Sequence, residues 1–129
     1  MITDQARILV VDDEKSFTDL MRLNLLDEGF QVKVVNEATK AIDAAKEYKP
    51  DVMLLDIVMP EEDGGDVLRK MNADPELSHI PTILVSALVS NSEVGVGSGL
   101  ESANGVVVAK PVKFDKLRQC IDQVLALQK

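Results

Sequence analysis

The sequence predicts a doubly wound α/β fold, in which a parallel sheet is covered by helices on both faces. Three observations predict it. Five short apolar runs alternate with amphipathic stretches along the chain. Four of those runs are nearly unbroken Val, Ile, Leu and Met, the composition of strands buried on both faces. Polar residues follow directly on the runs, at the strand ends where open α/β sheets bind their ligands.

The strands are expected at Arg7–Val11, Gln31–Val35, Val52–Leu55, Thr82–Val85 and Val106–Ala109. Between the first two, Phe17, Leu20, Met21 and Leu25 recur at helical spacing, and Gly29 marks the stop. Ala38, Ala41, Ile42 and Ala45 repeat the pattern before Pro50, and Val67, Leu68 and Met71 form a shorter third stripe. The last helix is the clearest, with Phe114, Leu117, Ile121, Val124 and Leu125 on one face. Residues 88–105 fill the remaining helix slot and carry Gly95, Gly97, Gly99 and Gly105. Each interior glycine costs a helix about 0.5–1 kcal/mol relative to alanine, so a short or frayed helix is expected there. Strand–helix alternation of this kind implies right-handed crossovers throughout.

Composition narrows the function. The 129 residues suit one domain, expected to span 1–129, and 46% hydrophobic content supplies one sizeable core. With 3% aromatics and no tryptophan, that core is aliphatic. The net charge of −8 repels phosphate backbones, and the basic stripe of a nucleic-acid reader is missing, so direct nucleic-acid binding is not expected. A single cysteine, Cys120, rules out an internal disulfide framework. No signal organisation opens the chain and no apolar run approaches membrane-spanning length, so a cytoplasmic protein is the expectation.

Four strand ends carry chemistry. The first run ends in Asp12 and Asp13, the third in Asp56, the fourth in Ser86 and the fifth in Lys110 before Pro111. Taken singly, each has a plain structural reading: a solvated acidic loop, a strand end, a backbone-satisfying hydroxyl, a surface lysine. Together, at one edge of one sheet, they form a site. His79, before Ile80 and Pro81, reads as a solvated loop residue, and Cys120 as a half-buried thiol beside the last apolar stripe. Glu61, Glu62, Asp63 and Asp66 read as a loop and first helical turn, where acids suit the helix dipole.

These pieces resemble the receiver domains of two-component response regulators, the CheY-like superfamily. The matching motifs are DDE at Asp12–Glu14, D-I-V-M-P-x-x-D-G from Asp56 to Gly64, S-A at Ser86–Ala87 and K-P at Lys110–Pro111. They cover nearly the whole chain in the right order. The resemblance implies a flavodoxin-like five-stranded sheet in the order 2-1-3-4-5 with about five helices. It implies a magnesium (or manganese) ion held by Asp13, Asp56 and the backbone carbonyl of Val58, with Asp12 acting through bound water. It also implies that Asp56 is the nucleophile accepting a phosphoryl group, aided by Ser86 and Lys110, with Pro111 joined through a cis bond.

The implied function is a phosphoacceptor switch in a phosphorelay. A histidine kinase or histidine phosphotransfer domain is the donor, and an unidentified downstream protein or output domain is the receiver of the signal. No enzymatic activity is expected beyond the chain's own phosphorylation and dephosphorylation. In the family, the strand-four hydroxyl draws in an aromatic residue on strand five; here the hydroxyl is Ser86 and the matching strand-five position, three before Lys110, is Val107, which cannot swing as an aromatic does. The glycine-rich segment 88–105 is the alternative switching element, by ordering on phosphorylation. Val58 and Leu88 occupy the two positions that steer the dephosphorylating water, and neither side chain hydrogen-bonds, which implies slow phosphate loss. The competing reading is a receiver-fold interaction module that signals without phosphorylation. An aspartate-nucleophile phosphatase is disfavoured because Val58 stands where its general acid belongs. A flavin protein is disfavoured because no Ser/Thr/Gly-rich loop follows the first strand.

Overall fold

The computed structural model describes residues 6–56, 64–86, 105–109 and 113–126. Five strands, β1 (Arg7–Val11), β2 (Gln31–Val35), β3 (Val52–Asp56), β4 (Thr82–Ser86) and β5 (Gly105–Ala109), form one sheet in the order β2-β1-β3-β4-β5. Every pairing is parallel. The helices described are α1 (Lys15–Asp27), α2 (Ala41–Tyr48), α3 (Gly64–Ala73) and α4 (Phe114–Ala126), with a 3-10 turn over Ala38–Lys40. The predicted strands are all present; β3, β4 and β5 each extend one residue past the predicted bounds. The predicted helix slot at 88–105 lies outside the described residues, apart from Gly105 at the start of β5.

The core divides as the two-residue period of a strand requires. Ile8 and Val10 of β1 join Val52, Leu54 and Ile83 on one face, where Met21 and Leu25 of α1 and Leu117, Ile121 and Val124 of α4 cover them. Leu9 and Val11 join Met53, Leu55 and Leu84 on the other, beneath Ala41 and Ala45 of α2 and Val67 and Met71 of α3. Both faces of the inner strands are therefore dry, which explains their unbroken apolar sequences. Edge strand β2 is different: only Val35 is buried there, consistent with its mixed composition.

Helix α1 departs from the predicted stripe. Its buried residues are Thr18, Met21 and Leu25, whereas Leu20 is 54% exposed, with Leu23 and Leu26 also in water. Thr18 takes the inward position by donating its hydroxyl to the Lys15 carbonyl at 3.0 Å, which satisfies its polar atom within the helix. The helix ends as predicted at Gly29, whose φ of 94° turns the Phe30 amide back onto the Leu25 carbonyl. At the end of α2, Lys49 adopts a left-handed φ of 54° and donates its amide to the Ala45 carbonyl at 2.9 Å. Thr82, fully buried at the start of β4, has a hydroxyl without a hydrogen-bond partner among the described residues.

Candidate functional site

Parallel pairing puts all the strand carboxyl ends on one edge of the sheet. Val11 pairs with Leu55, so Asp12 and Asp56 follow side by side. Asp56 pairs with Val85, and Ser86, the last residue of β4, pairs with Ala109. Lys110 is the next residue in the chain after Ala109.

Three of the predicted site residues are brought together. Asp12, Asp13 and Asp56 each present a carboxylate oxygen within 4.8 Å of the others. Asp12 and Asp56 are buried, at 1% and 5% exposure, while Asp13 stands open to solvent. Carboxylates placed so closely repel one another, and burying two of them removes the water that would screen the repulsion. An all-oxygen donor set with two buried members and one open side suits a hard divalent cation such as magnesium. The cluster fits that ion.

The turn that carries the acidic pair is held from several sides. The Asp12 amide donates to the Val35 carbonyl at 3.1 Å. One carboxylate oxygen of Asp12 accepts the Glu14 amide at 2.9 Å, closing a local turn into α1. Reading strand ends for chemistry names no residue on β2, yet Asn36 stands at that end. Its side-chain amide donates to the Asp12 carbonyl at 2.8 Å and to the Thr18 hydroxyl at 3.0 Å. The signal was available: Asn36 follows the Val34–Val35 pair just as Asp12 and Asp56 follow their own apolar runs.

Ser86 and Val107 lie on β4 and β5 at the positions expected, with Val107 paired to Leu84. Val58, Leu88, Lys110 and Pro111 fall outside the described residues. His79 is an exposed turn residue, as expected. Cys120 is partly buried, and burial pushes its thiol pKa up, away from the reactive thiolate. Glu61, Glu62 and Asp63 lie outside the described residues, and Asp66 sits in the first turn of α3 paired with Arg69. Among the described residues, no helix is long and apolar enough to cross a membrane.

Comparison with known proteins bears on this site. The response regulator receiver domain family matches residues 8–122. The chain is 38% identical over 117 residues to the DNA-binding response regulator MtrA of Mycobacterium tuberculosis, covering 91% of this chain and 49% of that protein. It therefore spans about half the length of the MtrA relatives it matches. A response regulator from Desulfuromonas acetoxidans superposes with a TM-score of 0.81 at 25% identity, over 96% of this chain and 99% of that one. The receiver domain of sensor histidine kinase PA1611 from Pseudomonas aeruginosa PAO1 shares the fold at a TM-score of 0.79 and 23% identity, over 95% and 98%. That protein was crystallised with magnesium coordinated in its active-site cleft.

Proposed function

The chain belongs to the response regulator receiver-domain family, and from that premise we propose that Asp56 is the phosphoryl acceptor of a two-component relay. The observation that carries this reading is the convergence of Asp12, Asp13 and Asp56 at the carboxyl edge of the sheet. The donor is a phosphohistidine on a histidine kinase or phosphotransfer domain. A carboxylate oxygen of Asp56 attacks phosphorus, the phosphorus–nitrogen bond breaks, and an acyl phosphate forms. Residues 1–129 form one receiver unit in this reading.

Asp13, Asp56 and the Val58 carbonyl would hold the magnesium ion, with Asp12 joined through water. The ion supplies positive charge against the phosphoryl oxygens, as phosphoryl transfer by positioning and charge neutralisation requires. Lys110 adds a second positive centre, and Ser86 donates its hydroxyl to a phosphoryl oxygen. Burial of Asp56 keeps bulk water away from the acyl phosphate once it has formed. The signal passes to a downstream protein or output domain through movement about Ser86. Val107 provides no aromatic partner for that movement.

The test is intact-mass spectrometry of the chain incubated with acetyl phosphate. With magnesium present, one phosphoryl increment is expected, mapping to Asp56 after borohydride trapping and digestion; EDTA should abolish it. A chain that never gains the increment in magnesium would refute the reading.

The lifetime of the phosphorylated state follows from Val58 and Leu88, which cannot orient an attacking water through their side chains. The double variant Val58→Asn, Leu88→Glu should lose its phosphoryl group roughly tenfold faster or more, the orientation of a water being a smaller effect than the roughly 10²–10⁴-fold of general acid–base catalysis. Decay of the mass increment after removal of acetyl phosphate measures the rate. An unchanged decay would show that these two positions do not control it.

A further inference from the structure

The amide of Asn36 stands between two elements that must keep a fixed distance if the acidic pair is to meet Asp56. On one side it donates to the Asp12 carbonyl, which belongs to the peptide unit joining Asp12 to Asp13. On the other it donates to the hydroxyl of Thr18, a fully buried residue in the first turn of α1. That hydroxyl is itself anchored to the Lys15 carbonyl. The side-chain amide therefore spans the whole β1–α1 turn, from the end of the strand to the body of the helix.

Both ends of the bridge are fixed. Asn36 directly follows β2, whose Val35 pairs with Val11 and accepts the Asp12 amide. Asp12 is thus held through its N–H by β2, through its carbonyl by Asn36 and through one carboxylate oxygen by Glu14. A held carbonyl fixes the plane of the peptide that follows, and so the direction in which Asp13 leaves the turn. Asp13 is the exposed member of the acidic trio, so the backbone of the turn does most to set its place.

We infer that Asn36 is a positioning residue for the cation site, acting through the Asp12–Asp13 peptide. This rests on the proposed function, in which Asp13 is a magnesium ligand. Asn36 does not touch the ion or the phosphoryl group. Its contribution is to hold an exposed carboxylate in the place where a buried one can share a cation with it. Partners that orient metal ligands in this way typically alter affinity by 10–100-fold when removed.

The experiment is a calorimetric titration of the whole chain with magnesium chloride, well below the melting temperature, with circular dichroism showing each variant folded. Asn36→Ala should bind magnesium about tenfold more weakly than wild type, the lower end of effects from ligand-orienting partners. Thr18→Val keeps the shape of the buried side chain but removes one anchor of the amide, and a roughly threefold loss is expected, smaller than for loss of the whole partner. Leu25→Ala is the control for a purely structural role: it lowers the melting temperature but should leave magnesium affinity unchanged. Saturating magnesium should also restore most of the phosphorylation rate of Asn36→Ala, since positioning of the ion is what the variant lacks. Wild-type affinity in Asn36→Ala, or the same loss of affinity in Leu25→Ala, would overturn the inference. A wild-type chain that binds no magnesium would overturn the functional reading itself, and the inference with it.

Discussion

In the Asp56→Asn variant, acetyl phosphate and magnesium should add no phosphoryl group, while the metal-free protein should melt higher than wild type. Both outcomes come from the same geometry. The substitution replaces the nucleophilic carboxylate with a neutral amide, which does not form an acyl phosphate, so uptake falls to background. It also removes one of three negative charges gathered within 4.8 Å. At that separation two like charges repel by about 3–4 kcal/mol at an effective dielectric of 20 and by about 1 kcal/mol in water. Asp13 is open to solvent while Asp12 is buried beside Asp56, so a gain of about 1–4 kcal/mol is expected in EDTA. Magnesium should narrow the difference. Wild type gains about 1.4 kcal/mol at a magnesium concentration tenfold above its Kd, and the variant gains less. Denaturant melts in EDTA and in magnesium chloride measure all four states; equal stability of the two proteins in EDTA would show that the acidic cluster is not under strain.

Leu54→Ala should destabilise the chain by about 2–5 kcal/mol, the range for deleting a buried leucine side chain. Leu54 is 1% exposed on the central strand β3 and lies in the cluster formed with α1 and α4. Strands pair on both sides of β3, so the backbone has little freedom to collapse into the space left behind. The upper half of the range is expected, with a drop in Tm of roughly 10 °C or more for a domain of this size. Leu23→Ala provides the contrast. Leu23 is 64% exposed on α1, and its loss should change stability by no more than about 0.5 kcal/mol. Comparable losses from the two substitutions would contradict the burial of Leu54 and the exposure of Leu23.

Much of this was legible in the chain, and the reasons are physical. Inner strands buried on both faces must be apolar at every position, and β1, β3 and β4 announce themselves by that alone. β2 reads less clearly because an edge strand meets water along much of its length. The cluster of Asp12, Asp13 and Asp56 follows from counting where apolar runs stop, since parallel pairing turns those stops into neighbours. The facing of α1 was harder to read. Leucine has the stronger claim to the interior by hydropathy, but Thr18 lies on the inward line of the helix and satisfies its hydroxyl locally, leaving Leu20 outside. Asn36 stands at a strand end as plainly as the aspartates do, but its partners are a backbone carbonyl and a buried hydroxyl, which a search for charged groups at strand ends passes over.

Arg118, on α4, reaches back across 90 residues to Glu28 and lays its guanidinium 4.8 Å from the centre of the Phe30 ring, while also meeting Asp122 on its own helix. An arginine clasp of this sort joins the last helix of the chain to the corner between the first helix and the second strand. The terminal helix cannot then peel away alone, because its release would expose Ile8, Leu25 and Leu54 at once. Opening of that flank is tied to melting of the whole domain.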